Sequence, residues 1–142
     1  MNHFSRMIFV AASIVLTSAC SVTPGREADN VKIFYLPFSY STFAPTTMLT
    51  IREEASCAFV MPRKAFDKLI RKFITTQPAK AFDERVVRLE AQYQKGNSLF
   101  VDQEGVLSPI DTYSGMAIGK GELADFDQQL ASEARRHGCT GL

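Results

Sequence analysis

The sequence predicts a single α+β domain in which a small antiparallel sheet is packed by two helices. Apolar and polar residues alternate at period two over 87–93, which indicates a strand. Apolar residues recur at three- and four-residue spacing over 62–75 and 122–137, which indicates two amphipathic helices. No internal repeat interrupts the 142 residues, and the hydrophobic fraction of 46% suffices for one core. The expected element order is β-β-α-β-β-β-α.

The first half of the domain is expected to contain two strands and a helix. Residues 31–38 are apolar and rich in β-formers, and Pro37 either ends this strand or confines it to a sheet edge. Residues 48–60 carry apolar side chains at period two, broken by Glu53, which predicts a second strand bent at that point. Pro62 suits the first turn of the helix that follows over 62–75.

The second half is expected to be an antiparallel meander followed by the last helix. The strand over 87–93 presents one face to water, a turn lies over 95–97, and short strands follow over 98–101 and 106–107. The last helix spans 122–137, with acids at its start, bases at its end and Gly138 as its C′ residue.

The first twenty residues carry a targeting signal. Arg6 precedes an apolar run over 7–16, and small residues lead directly to Cys20. The segment LTSAC resembles the lipobox of bacterial lipoproteins. This resemblance implies a signal peptide over 1–19, which is removed, and a lipid-bearing amino terminus at Cys20. An ordinary secreted protein is the alternative; a retained anchor is disfavoured because the run is shorter than the ~20 residues that span a bilayer.

Residues 20–30 contain little apolar surface and predict a flexible tether, which leaves 31–142 as one periplasmic domain. In the family that the signal resembles, a residue other than Asp after the lipidated cysteine goes with sorting to the outer membrane, and Ser21 occupies that position. The resemblance therefore implies an outer-membrane lipoprotein that faces the periplasm. The membrane is then contacted through the lipid of Cys20.

Charge argues against nucleic acid as a partner. Arg6 is the only charged side chain before Cys20, so the net charge of +1 falls to zero after cleavage. A neutral domain cannot neutralise a phosphate backbone. Bases do crowd residues 63–72; this segment is either a solvated helix face or a contact for anionic lipid headgroups or an acidic partner.

Cysteine usage fits an oxidising compartment. With Cys20 occupied by lipid, Cys57 and Cys139 remain and are expected to form one disulfide. Two buried free thiols are the alternative. By the chain-entropy model, a bond closing a loop of this size contributes roughly 4–5 kcal/mol as an upper value.

The sequence offers no clear catalytic, metal or cofactor site. His137 is the single histidine after the signal, which excludes sites that need two histidines. The glycine-rich stretch 114–121 lacks the spacing of a phosphate-binding loop and is expected to be a connection. Glu53 lies on the apolar side of its predicted strand, where a solvated position at a bulge is favoured over a functional carboxylate.

The aromatic segment, residues 34–45, is the most informative stretch of the domain. Its aromatic residues are Phe34, Tyr35, Phe38, Tyr40 and Phe43. Some of these side chains are expected in the core, but Tyr40 and Phe43 lie among Ser, Thr and Pro and are the candidates for partner binding. The sequence thus favours a non-catalytic, lipid-anchored envelope protein that binds a protein partner, as an accessory lipoprotein or as an inhibitor or immunity factor. A small-ligand or lipid binder and an enzyme acting on envelope material are the alternatives; the oligomeric state is left open.

Overall fold

The computed structural model describes residues 29–42, 44–76, 80–94, 96–109 and 112–142. The predicted signal peptide, the lipidation residue Cys20 and most of the predicted tether lie outside the described residues, as does Phe43. The elements are β1 (Asn30–Tyr35), α1 (Ile51–Glu54), β2 (Cys57–Pro62), α2 (Arg63–Arg71), β3 (Ile74–Thr75), β4 (Val87–Tyr93), β5 (Ser98–Asp102), β6 (Ala117–Ile118) and α3 (Leu123–Arg136).

The main sheet has four antiparallel strands in the order β2-β1-β4-β5, and β3 pairs with β6 in a second, two-stranded sheet. The chain is therefore an α+β protein, as the sequence predicts. Strand β1 lies inside the sheet, where Tyr35 is opposite Cys57 on one side and Leu89 on the other. Pro37 follows the end of this strand and does not place it at an edge.

The main core lies between one face of the four-stranded sheet and helices α2 and α3. Phe66 and Ile70 of α2 and Phe126 and Leu130 of α3 are fully buried in it. The ring of Phe126 makes edge contacts with Phe38 and Phe73 at centroid distances of 5.9 and 5.7 Å. Burial of these apolar side chains is the main stabilising contribution, about 1.5–3 kcal/mol for each large one.

The second face of the sheet carries a smaller apolar cluster of Phe34, Leu36, Ile51 and Val87. Helix α1 supplies Ile51 to this cluster and so covers part of the face. The prediction that β4 presents one face to water is therefore wrong: Arg88 and Glu90 are both buried. The cause is tertiary, because the alternation in β4 cannot reveal that another element covers its polar side.

The predicted strand over 48–60 is also wrong in its first half. Thr47 and Thr50 form a local turn in which the Thr47 amide donates to Thr50 Oγ1 at 3.0 Å, and α1 follows. Such side-chain to backbone bonds compete with strand pairing. Leu49 is 89% exposed, so its position in the alternating set has no structural counterpart. Strand β2 begins only at Cys57.

Smaller differences concern the short elements. Helix α2 ends at Arg71, and the Ile74 that was predicted as helical pairs with Ile118 in the two-stranded sheet. Residues 106–107 form isolated bridges rather than a strand, and β6 occupies part of the predicted glycine-rich connection. Helix α3 runs Leu123–Arg136, one residue shorter than predicted at each end.

A disulfide joins Cys57, the first residue of β2, to Cys139 just after α3, with the two Cα atoms 5.8 Å apart. The predicted pairing of these cysteines is therefore present in the structure. It connects positions 82 residues apart and fixes the end of the chain to an edge strand of the sheet. Within the described part of the chain, no helix has the length and apolar character needed to cross a membrane.

Candidate functional site

The aromatic segment divides into a buried part and an exposed part. Phe34, Tyr35 and Phe38 are buried, which agrees with the expectation that some of its rings belong to the core. Tyr40 is 43% exposed, one of three large apolar or aromatic side chains that the described chain presents to solvent. Of the two predicted partner-binding residues, the structure thus places Tyr40 at the surface, and Phe43 is outside the described residues.

The backbone that carries Tyr40 is held by the buried side chain of Arg88. The Leu36 amide donates to the carbonyl of Arg88 at 2.9 Å, and the guanidinium of Arg88 donates to the carbonyl of Tyr40 at 3.1 Å. The Tyr40 amide also donates to the carbonyl of Pro37 at 3.0 Å. An exposed aromatic ring on a backbone held in this way loses little conformational freedom when it binds.

Arg88 is an unusual residue for this position because it is a buried cation. Its side chain is 2% exposed, it forms no salt bridge with a described carboxylate, and its Nε has no hydrogen-bond partner there. The other guanidinium nitrogens donate to the Tyr40 carbonyl, to Gln103 Oε1 at 3.1 Å and, at 3.4 Å, to the Val87 carbonyl. Burial lowers the pKa of Arg88. The loop is therefore held at a desolvation cost.

Helix α3 holds the start of the same segment. The hydroxyl of Tyr35 donates to the carboxylate of Asp127, and the amide of Phe38 donates to the same carboxylate oxygen at 3.2 Å. Burial, followed by the hydrogen bond to Asp127 and its negative charge, raises the pKa of Tyr35. Farther along, the hydroxyl of Tyr40 lies 3.4 Å from the carbonyl of Gly141, which places Tyr40 beside the end of the chain.

A second polar arrangement lies on the covered face of the sheet. Glu90 is fully buried and accepts two hydrogen bonds from Arg52, at 2.8 and 2.6 Å, and one from the Ser98 hydroxyl at 2.6 Å. Arg52, whose side chain is 50% exposed, also lies over the ring of Phe34 at 5.7 Å. Because both carboxylate oxygens are engaged, Glu90 links α1 to the sheet and is not available as a general base.

A groove of about 630 Å³ lies next to this arrangement, because Ser98, which donates to Glu90, is also one of the residues that line the groove. Helix α2 forms one wall, and the end of β4 with the turn into β5 forms another. The described lining residues are Arg63, Asp67, Arg71, Tyr93, Gln94, Gly96, Asn97, Ser98, Pro109, Thr112 and Tyr113. Sequence reasoning identified the basic helix face but not this groove, since nothing in the spacing indicates that Tyr93 and Tyr113 lie beside α2.

Contacts inside the groove hold the side chains of Arg63 and Asp67 in place. Arg63 lies over the ring of Tyr93 at 5.1 Å and 3.6 Å from a carboxylate oxygen of Asp67. Asp67 also accepts a hydrogen bond of 3.1 Å from the hydroxyl of Tyr113. The hydroxyl of Tyr93, by contrast, is buried and has no hydrogen-bond partner among the described residues. A residue that lines the groove beside two arginines therefore carries a buried hydroxyl without a hydrogen-bond partner in the described part of the chain.

Other candidates from the sequence do not assemble into a reactive centre. Cys139 is disulfide-bonded, so it is not a nucleophile for His137, whose ring stacks on Phe59 at 5.4 Å. Glu53 is exposed on α1. The described residues contain no group of three or more His, Cys, Asp or Glu side chains placed to hold a metal ion.

Comparisons of the chain with protein-family models, with curated proteins and with solved structures find no match.

Proposed function

We propose that this protein is a lipid-anchored, non-catalytic component of a bacterial envelope that binds a partner protein through its aromatic segment. The observation that carries the proposal is the exposed ring of Tyr40 on a backbone held by the buried Arg88. Aromatic side chains dominate binding hot spots because they bury a large area with few rotatable bonds.

The lipid anchor supports this role without determining it. Acylation of Cys20 would hold the domain close to the bilayer, and a lipid-bound protein searches for its partner over a surface rather than through a volume, which raises its effective concentration. Phe43 belongs to the same proposal, as a second ring three residues beyond Tyr40 in a stretch of Ser, Thr and Pro.

Photo-crosslinking in intact cells tests the proposal. A photoreactive phenylalanine analogue at position 40 should give one discrete adduct, which mass spectrometry identifies. The same analogue at position 49 is the control for exposure, because Leu49 is even more exposed than Tyr40. It should give no adduct, since Leu49 lies outside the aromatic segment. Cys20→Ala should release the chain from the membrane and reduce the adduct.

Binding to the identified partner is then measured with purified proteins. Tyr40→Ala should weaken it by about 2 kcal/mol or more, roughly thirtyfold, with little change in Tm. Tyr40→Phe keeps the ring and removes only the 3.4 Å contact with Gly141, so it should bind nearly as well as the wild type. A large fall in Tm for Tyr40→Ala, or equal adducts at positions 40 and 49, would show that this ring caps the chain end and does not bind a partner.

A further inference from the structure

The groove between α2, the stretch from Gly96 to Ser98, and Pro109 with Thr112 and Tyr113 does not include Tyr40 among its described lining residues, and it has no role in the function proposed above. Its volume of about 630 Å³ is within the range of small-molecule sites, about 300–1,000 Å³. Its walls are mostly polar, with the faces of Tyr93 and Tyr113 and Pro109 as the apolar parts. A ligand that fits this lining is itself polar and forms hydrogen bonds and charge contacts.

The charged groups favour a negative ligand. Two arginines line the groove, and Asp67 is the single acid among the lining residues that the structure describes, although Arg63 also pairs at 3.6 Å with Asp29, which lies outside the lining. Asp67 is already engaged with Arg63 and with the Tyr113 hydroxyl. Arg71 is exposed and forms no salt bridge with a described carboxylate, and its hydrogen-bond partner is the neutral hydroxyl of Tyr113. Its planar, permanently charged guanidinium suits two-point contact with a carboxylate or a phosphate.

The hydroxyl of Tyr93 supplies an independent argument. A buried hydroxyl without a partner costs free energy of folding, and such groups in a native structure call for an explanation. This hydroxyl belongs to a residue that lines the groove, and a ligand oxygen that accepts its proton would satisfy it. Because burial raises the pKa of Tyr93, the group remains a neutral donor at neutral pH.

We propose that this groove binds a small soluble oxyanion, a ligand with a carboxylate or phosphate group, which Arg71 and Arg63 contact and to which the Tyr93 hydroxyl donates a hydrogen bond.

Titration of the purified protein in the presence of phosphatidylcholine nanodiscs tests this site. Citrate and inorganic phosphate are the probes, each compared with sodium chloride at equal ionic strength, and amide NMR spectra report binding. At least one probe should give saturable shifts at groove residues such as Asn97 and Thr112, with none at α1. Saturable shifts with neither probe would overturn the proposal.

Charge variants on α2 separate a built site from a general positive surface. Arg71→Gln should weaken binding about tenfold or more, because it removes a charge-assisted contact. Lys68→Gln removes the same charge from the same helix outside the groove lining, and its effect should stay below about twofold. Asp67→Asn should strengthen binding, since it removes the opposing charge and keeps an acceptor for Tyr113. Equal losses for Arg71→Gln and Lys68→Gln would show surface electrostatics only.

Tyr93→Phe gives a readout that a purely structural role would not produce. The variant should bind the probe several-fold more weakly while its Tm stays equal to or rises above that of the wild type, because an unsatisfied hydroxyl is removed from the unliganded protein. A fall in Tm with unchanged binding would show that the hydroxyl has a structural partner. If shifts appear only when phosphatidylglycerol is added to the nanodiscs, the groove receives a lipid headgroup and not a small soluble ligand.

Discussion

Individual residues show how this protein uses polar groups inside its sheet. Glu90 and Arg88 are neighbours on β4 and both are buried, but they are satisfied in different ways. Glu90 has a cation and a hydroxyl as partners, whereas Arg88 donates mostly to neutral oxygens and retains an unpaired Nε. Sequence spacing indicates only that these residues share the polar side of a strand. Their partners, Arg52 and the loop carbonyl of Tyr40, lie 38 and 48 residues away along the chain, which explains why neither contact was predictable.

Tyrosine ionisation should make the fold sensitive to alkali. Burial is the first cause that raises the pKa of Tyr35, Tyr93 and Tyr113 above 10.0, so the folded protein retains phenolic protons that the unfolded chain loses. The folded state then binds more protons, and the free energy of unfolding falls as pH rises above 10.0. The contribution is fully present below that pH.

Above pH 10.0, each such tyrosine should lower the free energy of unfolding by about 1.4 kcal/mol per pH unit. Urea denaturation at several pH values above 10.0 measures this decrease, and the ultraviolet absorbance of tyrosinate reports the ionisation. In Tyr35→Phe the free energy of unfolding should fall less steeply with pH, by the contribution of one tyrosine. Noncooperative ionisation of these phenols in the folded protein, with no loss of stability, would contradict this expectation.

At the level of elements, period two predicted the position of β4 correctly, though not the burial of its polar side, and it failed over 48–60. The difference is physical: β4 pairs on both sides, with β1 and with β5, whereas the threonines at 47 and 50 bond to nearby backbone and begin a helix. The two longer helices were predictable because their apolar stripes face one core. The short strands β3 and β6 were not, since two residues carry too little pattern. The groove was hidden for a different reason, because its lining residues come from three segments that are distant in sequence and meet only in the fold.

The turn after β5 is held by Asp102, whose carboxylate accepts the amides of Glu104 and Val106 at 2.9 Å each. Gly105 adopts φ +83° there, and an added Cβ would lie 3.0 Å from Ile118 Cβ and 3.1 Å from Leu123 Cδ1. This glycine therefore sets the spacing between the turn, β6 and the start of α3.

Gly105→Ala should cost about 2–4 kcal/mol of folding stability, of which about 1 is backbone strain and the rest overpacking. Gly115→Ala is the matched control, since Gly115 has φ +72° but no atom within 4 Å of an added Cβ, and it should cost about 1 kcal/mol. Chemical denaturation of both variants gives the comparison. Equal costs would show that β6 and Leu123 move aside without penalty.

For the whole molecule, the Cys57–Cys139 disulfide determines how strongly the chain end is tied to the sheet. The bond spans 82 residues, so in the chain-entropy model its removal costs up to about 4–5 kcal/mol. Helix α3 keeps other attachments, because Phe126 and Leu130 are buried and Asp127 binds the hydroxyl of Tyr35. The loss should therefore be uneven, greatest beyond Ala134, where, besides the disulfide, the chain is held by the stacking of His137 on Phe59 and by the packing of Leu142 against the core.

The double variant Cys57→Ser with Cys139→Ser tests this expectation by native-state hydrogen exchange. Amides of residues 135–139 should lose protection first, while those of 126–130 exchange only with global unfolding.

The same variant also tests what holds the aromatic segment, because the hydroxyl of Tyr40 lies 3.4 Å from Gly141 in the segment that is released. If the end of the chain orders the aromatic segment, exchange at residues 38–41 should also rise; if Arg88 and Asp127 suffice to hold that segment, protection there should remain. Uniform loss of protection along α3 would show that the disulfide stabilises the helix as one unit.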